Sequence, residues 1–138
     1  MNSKTPVVLI DSCGWLEYLT DGANADFFST PILAQSKIIV PTIIIYELWK
    51  KIVRERGEEI ALEVTAQLKR FDIVPLDENL SISAAKISLE LRIPMADSII
   101  YATAQKNEAV LWTQDADFKG FRDVKYIEKK RIGGIIQS

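Results

Sequence analysis

The hydrophobic and polar positions of this chain fall into two patterns that alternate from one end to the other. Short continuous apolar runs, typical of strands buried on both faces of a sheet, are separated by longer stretches in which apolar residues recur every three or four positions. The runs predict five strands, at Pro6–Asp11, Lys37–Pro41, Asp72–Leu76, Ala109–Thr113 and Val124–Glu128.

The stretches between these strands predict helices. A short helix follows the first strand and has Gly22 past its end. Longer helices are predicted at Ile43–Arg56 (after Thr42 as the N-terminal cap), Glu58–Arg70, Asn79–Arg92 and Met95–Lys106. Strands that alternate with helices favour an α/β fold with a mainly parallel central sheet flanked by helices. We expect one domain over residues 1–128, followed by a C-terminal tail at 129–138 that the pattern does not place.

Composition narrows the chemistry that is available to the chain. Its 138 residues suit a single domain, and it has one cysteine and no histidine. An internal disulfide, a Ser-His-Asp triad and a His-ligated zinc site are therefore excluded. The longest apolar stretch, Ile38–Tyr46, is far too short to span a bilayer and contains Pro41. With no long apolar segment at the N-terminus, we expect a cytoplasmic protein without a membrane partner.

Charge is unevenly distributed along the chain. The segment from Lys119 to Arg131 holds six basic and two acidic residues, a net +4, which leaves −6 for the rest of a chain whose total is −2. An acidic body with a basic C-terminal stretch is compatible with several kinds of partner and selects none of them.

Acidic residues stand at similar places in several predicted elements. Asp11 ends the first strand, Asp115 and Asp117 lie just past the fourth, Asp97 opens a helix, and Glu47 lies in an apolar stretch in the second turn of its helix. The carboxyl ends of parallel strands meet at one edge of a sheet, where ligands bind. The predicted topology therefore brings distant carboxylates together at that edge.

Each acid also has a simple structural interpretation. Asp11 and Asp97 are suited to cap helices, Asp115 and Asp117 to form a turn, and Glu47 to face solvent. Taken together, such a cluster would repel itself unless a cation neutralised it. Oxygen ligands without histidine or thiolate favour Mg²⁺ or Mn²⁺, and the chemistry that fits such a site is phosphodiester hydrolysis.

Neighbouring polar residues have two possible roles. The hydroxyls of Ser12 and Thr113 are adjacent to members of the acid set and are candidates for orienting them. Four basic residues follow Glu47 on its helix and form either a solvated face or a contact with phosphate, namely Lys50, Lys51, Arg54 and Arg56.

Four segments in this order resemble the motifs of PIN-domain ribonucleases, and of VapC-type toxins of toxin–antitoxin pairs in particular. They are "VVLIDSCGWLEYL", the acid of "PTIIIYELWK", "PMADSIIYATAQKN" and "LWTQDADF". The resemblance implies a Mg²⁺-dependent endoribonuclease (Mn²⁺ is the alternative), often a homodimer, that acts on RNA and is blocked by a small antitoxin protein.

The resemblance also implies roles for individual residues. The catalytic quartet would be Asp11, Glu47, Asp97 and Asp115, of which Asp11, Asp97 and Asp115 would bind the metal. Supporting positions would be Asp117, as a frequent fifth acid, together with Thr113 and Ser12. Position 13, often Ser or Asn in the family, is Cys13 here.

Two other interpretations remain. A PIN scaffold without catalytic activity would bind a partner only, although the complete acid set argues against it. A receiver-like signalling domain needs an acidic pair near the first strand, but Asp11 is followed by Ser12. The sequence does not specify which RNA is cleaved.

Overall fold

A five-stranded parallel sheet forms the centre of the protein. The computed structural model describes residues 6–132 and 135–136. The strands are β1 (Val7–Ile10), β2 (Lys37–Pro41), β3 (Asp72–Val74), β4 (Ala109–Thr113) and β5 (Val124–Tyr126), in the order β3-β2-β1-β4-β5. All four pairings are parallel, which confirms the predicted α/β architecture. β3 and β5 end two residues earlier than predicted.

Six helices accompany the sheet within the described residues. They are α1 (Ser12–Leu19), α2 (Ala25–Leu33), α3 (Thr42–Arg56), α4 (Glu58–Leu68), α5 (Glu78–Leu91) and α6 (Met95–Lys106), and a single 3₁₀ turn covers Ala116–Phe118. The prediction of Thr42 as a cap was wrong, because extended Pro41 precedes the helix and Thr42 is its first residue. α5 begins at Glu78 rather than Asn79, because the Asp77 carboxylate accepts a hydrogen bond from the Leu80 N–H at 2.8 Å.

The sequence pattern did not predict α2, which contains a proline. Pro31 lacks an N–H and usually ends a helix. Here it lies in the last turn, so few helical hydrogen bonds are lost, and its buried face packs inward together with Phe28. α1 meets α2 at Gly14, where a Cβ would lie 2.5 Å from the Phe28 ring. The free energy gained by burying this contact therefore outweighs the cost of placing Pro31 in the helix.

The sheet register places the ends of β1 and β4 side by side. Ile10 is opposite Trp112, and the Asp11 N–H donates to the Trp112 carbonyl at 3.0 Å. The side chains of Leu9, Ile10 and Leu111 are completely buried. The residues that follow these two strands therefore meet at the carboxyl edge, above a rigid core.

The C-terminal residues add a small separate pairing. Backbone strands β6 (Arg131–Ile132) and β7 (Ile135–Ile136) are antiparallel to each other and lie outside the main sheet. The tail predicted at 129–138 extends beyond the described residues at 133–134 and 137–138, and its boundary at residue 128 stays a prediction. None of the helices in the described ranges has the length and apolar character needed to cross a membrane.

Candidate active site

The four acids predicted to be catalytic line one cleft at the carboxyl edge of the sheet. The cleft has a volume of about 520 Å³ and is lined by Asp11, Ser12, Cys13, Glu47, Asp97, Gln114, Asp115, Ala116, Tyr126, Glu128 and Lys129. The topology therefore brings together acids from β1, α3, α6 and the segment after β4, as expected for a parallel sheet.

Asp11 is fixed by hydrogen bonds to both carboxylate oxygens. Oδ1 accepts from the Ser12 N–H at 2.8 Å, so Asp11 caps α1, and Oδ2 accepts from the Thr113 hydroxyl at 2.7 Å. The Cys13 thiol donates to the same Oδ2 at 3.7 Å. Burial raises the pKa of Asp11, and the bonds from Thr113 and Ser12 partly offset this effect. Asp11 thus both caps a helix and faces the cleft.

Thr113 lies beneath the cleft and connects two of the acids. Its completely buried hydroxyl donates to Asp11 and accepts from the Asp115 N–H at 2.9 Å. The Asp115 carboxylate in turn accepts from the Asp117 N–H at 2.9 Å and so caps the 3₁₀ turn. The turn interpretation of these acids is therefore correct, and Asp115 is the residue that caps the turn.

Three carboxylates form the tightest acidic group in the described part of the chain. Asp97, Asp115 and Asp117 each offer one oxygen, and these oxygens all lie within 4.8 Å of one another. Asp97 lies in the first turn of α6, whose N-terminal cap is Pro94. Burial, followed by the charges of Asp115 and Asp11, raises the pKa of Asp97 to about 7. Capping therefore does not account for the position of Asp97.

Glu47 lines the cleft from helix α3. Its Oε1 atom is buried and has no hydrogen-bond partner among the described residues. Burial raises the pKa of Glu47, and the charge of Asp11 raises it further. A buried carboxylate oxygen without a partner is energetically costly unless another group binds there.

The composition of the cleft matches the ligand preference of a hard divalent cation. Its acids provide only oxygen ligands, burial and then the repulsion of neighbouring acids raise the pKa of Asp97, and Glu47 leaves one oxygen unpaired. A cation would relieve all of these costs together. Asp117, predicted only as a supporting residue, belongs to the closest group of oxygens.

A buried polar network behind the acids was not predicted from the sequence. The Asn24 side chain donates to Gln114 Oε1 at 2.8 Å and to the Glu128 carbonyl at 3.1 Å, while the Asn24 N–H donates to Glu17 Oε1 at 2.6 Å. These contacts fix Gln114, which stands between Thr113 and Asp115. The sequence did not predict that Glu17 is buried, because a single acid in an amphipathic helix usually faces solvent.

Comparison with known proteins agrees with this architecture. A sequence model of the PIN domain family matches residues 8–124. No curated protein matches the chain significantly. Because the family model covers most of the chain, the protein belongs to the PIN-domain family, as its motifs indicated.

Solved toxin–antitoxin structures share the fold. A toxin–antitoxin complex from Klebsiella pneumoniae is 22% identical, with a TM-score of 0.71 over 86% of this chain and 95% of that chain. VapC20 of Mycobacterium tuberculosis, described as a sarcin–ricin loop cleaving toxin, is 16% identical, with a TM-score of 0.70 over 85% and 98%. VapBC from Salmonella typhimurium is 16% identical, with a TM-score of 0.69 over 91% and 98%. The predicted PIN-domain family is therefore confirmed, and the predicted resemblance to VapC-type toxins is confirmed at the level of the fold.

Proposed function

We propose that this chain is a metal-dependent endoribonuclease that hydrolyses RNA phosphodiesters, and that it is the toxin of a type II toxin–antitoxin pair. The observation that carries the proposal is the group formed by Asp97, Asp115 and Asp117, with oxygens within 4.8 Å of one another. An acid group of this kind at the carboxyl edge of a PIN domain is suited to hold a cation rather than to stabilise the fold.

The residues that would hold the cation are acids from three elements. The proposed ligands are Asp11, Asp97 and Asp115, as predicted from the sequence. Asp117 is a fourth proposed ligand, because its oxygen lies within 4.8 Å of those of Asp97 and Asp115. Oxygen ligands favour Mg²⁺, with Mn²⁺ as the alternative. The chemistry that such a cation supplies is activation of water and stabilisation of the leaving oxygen.

The remaining residues of the site position the acids and accept a proton. Thr113 and the Ser12 N–H hold the Asp11 carboxylate in one orientation. Glu47 lines the same cleft with an unpaired oxygen and a raised pKa, so we assign it the proton of the attacking water. The hydroxide that remains forms the new bond to phosphorus, the bond from phosphorus to the leaving oxygen breaks, and that oxygen takes up a proton from solvent water.

The proposed partners follow from two observations. Several structures with this fold are toxin–antitoxin complexes, which supports a small antitoxin as partner of this chain. The outer face of α5 and the start of α6 expose Ile82, Leu89 and Met95, with Leu89 83% exposed. Exposed apolar side chains that cluster on one face mark an interaction surface. We assign this face to a homodimer, which light scattering of wild type and Leu89→Lys would test.

Cleavage of a covalently closed RNA circle tests the catalytic part of the proposal. Only an endonuclease opens a circle, so we expect linear product with Mg²⁺ or Mn²⁺ and none with EDTA. Asp11→Asn should abolish opening, while Asp26→Asn, an exposed acid on α2, should not. Opening at the wild-type rate by metal-free protein, or by Asp11→Asn, would contradict the mechanism.

Expression in bacteria tests the toxin role. We expect growth arrest from the wild-type chain, none from Asp11→Asn, and recovery when the small gene next to it is co-expressed. Arrest that persists at full strength in the presence of that gene would contradict the toxin–antitoxin assignment while leaving the nuclease assignment intact.

A further inference from the structure

One face of α3 carries a row of aromatic and basic side chains next to the acid cleft. Tyr46, Lys50 and Arg54 follow one another at intervals of four residues, so they lie along the same side of the helix. Glu47, the residue after Tyr46, lies beside this row and lines the acid cleft. At a rise of about 1.5 Å per residue, the basic residues lie roughly one and two turns beyond Glu47.

The row lines a second cleft that joins the first. This cleft has a volume of about 320 Å³ and is lined by Ser12, Leu16, Tyr46, Glu47, Lys50, Lys51 and Arg54. Ser12 and Glu47 also line the acid cleft, so the two clefts are adjacent. A chain bound across the acids would pass over this face of α3.

The charges on this face are only partly neutralised by the protein itself. Lys51 pairs with Glu55 at 3.1 Å. Lys50 and Arg54 are exposed and form no ion pair within the described residues, and the Lys50 ammonium lies 5.7 Å from the centre of the Tyr46 ring. Tyr46 is 58% exposed. Two free cations beside an exposed aromatic ring are typical of a surface that binds single-stranded nucleic acid.

Electrostatics makes such a surface necessary. Five acids and a single lysine, Lys129, line the acid cleft, so it repels a polyanion, and one metal cation there neutralises the acids more than it attracts RNA. Binding energy for the substrate must therefore come from positive charges beside the cleft, and phosphate contacts from Lys and Arg are its main source.

We propose that this face of α3 binds the single-stranded RNA that flanks the scissile phosphate, with Lys50 and Arg54 on successive phosphates and Tyr46 stacked on a base. This inference rests on the proposed ribonuclease function and names the part of the substrate that the same site holds. The competing occupant is an apolar segment of a protein partner, because Tyr46, Lys50 and Arg54 also line another hollow of about 720 Å³, whose apolar lining is Ile45, Trp49 and Val53.

Fluorescence anisotropy with a labelled single-stranded RNA in EDTA tests the proposal. All proteins carry Asp97→Asn so that the RNA stays intact. We expect Lys50→Ala/Arg54→Ala to weaken binding about ten-fold, and to reduce the slope of log affinity against log salt by about 1.4, because each phosphate contact on a single strand contributes about 0.7. Tyr46→Ala should weaken binding about ten-fold with the slope unchanged, and Tyr46→Phe should bind like the parent.

The matched control is Lys69→Ala/Arg70→Ala, which removes one lysine and one arginine that are exposed and line neither cleft. This control should bind within about two-fold of the parent protein, and Lys50→Arg/Arg54→Lys should do the same. Circular dichroism melts check that every variant is folded. An affinity and slope for Lys50→Ala/Arg54→Ala equal to those of the control would overturn the proposal. A weaker affinity with an unchanged slope would also overturn it, because phosphates would then not be the ligand.

The outcomes also separate this inference from the proposed function. If wild type opens the RNA circle but the α3 variants bind RNA unchanged, only this inference fails. If those variants instead no longer bind the co-expressed small protein, this face of α3 binds a protein partner. That result would overturn the inference that it binds RNA. If wild type neither binds nor cleaves RNA, the proposed function fails and this inference fails with it.

Discussion

Thr113 and Asp11 lie 102 positions apart in the sequence and are joined by a buried hydrogen bond of 2.7 Å from the threonine hydroxyl to carboxylate oxygen Oδ2. The same hydroxyl accepts from the Asp115 N–H at 2.9 Å. One side chain thus sets the distance between an acid that follows β1 and an acid that follows β4. We regard Thr113 as a positioning residue, because it acts through the two acids rather than on the substrate.

Replacement of Thr113 by valine tests this role. Thr113→Val keeps the shape but removes both hydrogen bonds and leaves the Asp115 N–H unpaired, so the free energy of unfolding should fall by about 1–3 kcal/mol. Mn²⁺ affinity should fall as well, because Asp11 loses its orientation. Thr113→Ser retains the hydroxyl and should recover the Mn²⁺ affinity.

Thr103 provides the matched control for this substitution. It is also completely buried, but its hydroxyl donates only to the Ile99 carbonyl one turn earlier in α6. Thr103→Val should therefore have little effect on Mn²⁺ affinity. Equal losses of Mn²⁺ affinity in Thr103→Val and Thr113→Val would refute the positioning role.

Neutralising Asp97 should stabilise the metal-free protein. The carboxylate of Asp97 is repelled by Asp115, Asp11, Asp117 and Glu47. Asp97→Asn removes this repulsion at nearly constant volume, so the melting temperature in EDTA should rise, while the further gain on adding Mg²⁺ should shrink. Thermal melts with EDTA and with Mg²⁺ measure both effects.

Asp26→Asn is the control, because Asp26 occupies the first turn of α2 as Asp97 occupies that of α6. Loss of its favourable interaction with the helix N-terminus should leave stability equal or slightly lower in both solutions. A lower melting temperature for Asp97→Asn than for wild type in EDTA would contradict this prediction. It would show that the Asp97 carboxylate stabilises α6 more than it destabilises the protein by repelling the other acids.

The metal-free protein should lose stability as the pH rises from about 4 to about 7. The pKa of Asp97 is raised from 3.8 to about 7, so the folded state binds its proton more tightly than the unfolded state does. Asp11 and Glu47, with raised pKa values, contribute in the same direction. The pKa of Asp77 is lowered, so its contribution opposes this trend only at pH values below its ordinary pKa of 3.8.

Melting temperatures in EDTA should therefore be higher at about pH 5 than at about pH 8, and Asp97→Asn should show a smaller difference. Saturating Mg²⁺ should reduce the difference for wild type, because a bound cation favours the ionised acids. A wild-type melting temperature in EDTA that rises across this interval would contradict the raised pKa values that burial and mutual repulsion give these acids.

The sequence predicted the sheet and the acids because each has a local signal. Continuous apolar runs identify buried parallel strands, and an acid directly after a strand reaches the carboxyl edge whatever the details of the helices. The position of Asp11 follows from β1 alone, and those of Asp115 and Asp117 from β4. Glu47 was a candidate because it lies in an apolar stretch of its helix, and the family motifs then assigned it a catalytic role.

Other features depend on contacts that the sequence pattern does not reveal. α2 was missed because Pro31 gives a helix-breaking signal, and only burial against Gly14 and the core outweighs it. The network of Glu17, Asn24 and Gln114 includes a hydrogen bond between residues 90 positions apart, and its polar side chains follow no periodic pattern. The grouping of Asp117 with Asp97 depends on the 3₁₀ turn, whose geometry is set by hydrogen bonds.

Calorimetric titration of Mn²⁺ into metal-free protein tests most directly the central claim, that the clustered acids form one cation site. Wild type and Asp26→Asn should bind Mn²⁺ saturably with similar affinity, and Mg²⁺ should compete. Asp97→Asn should bind at least about ten-fold more weakly, because it loses a charged ligand that is also a member of the closest acidic group. Absence of Mn²⁺ binding to wild type, or equal affinity in wild type and Asp97→Asn, would contradict the account.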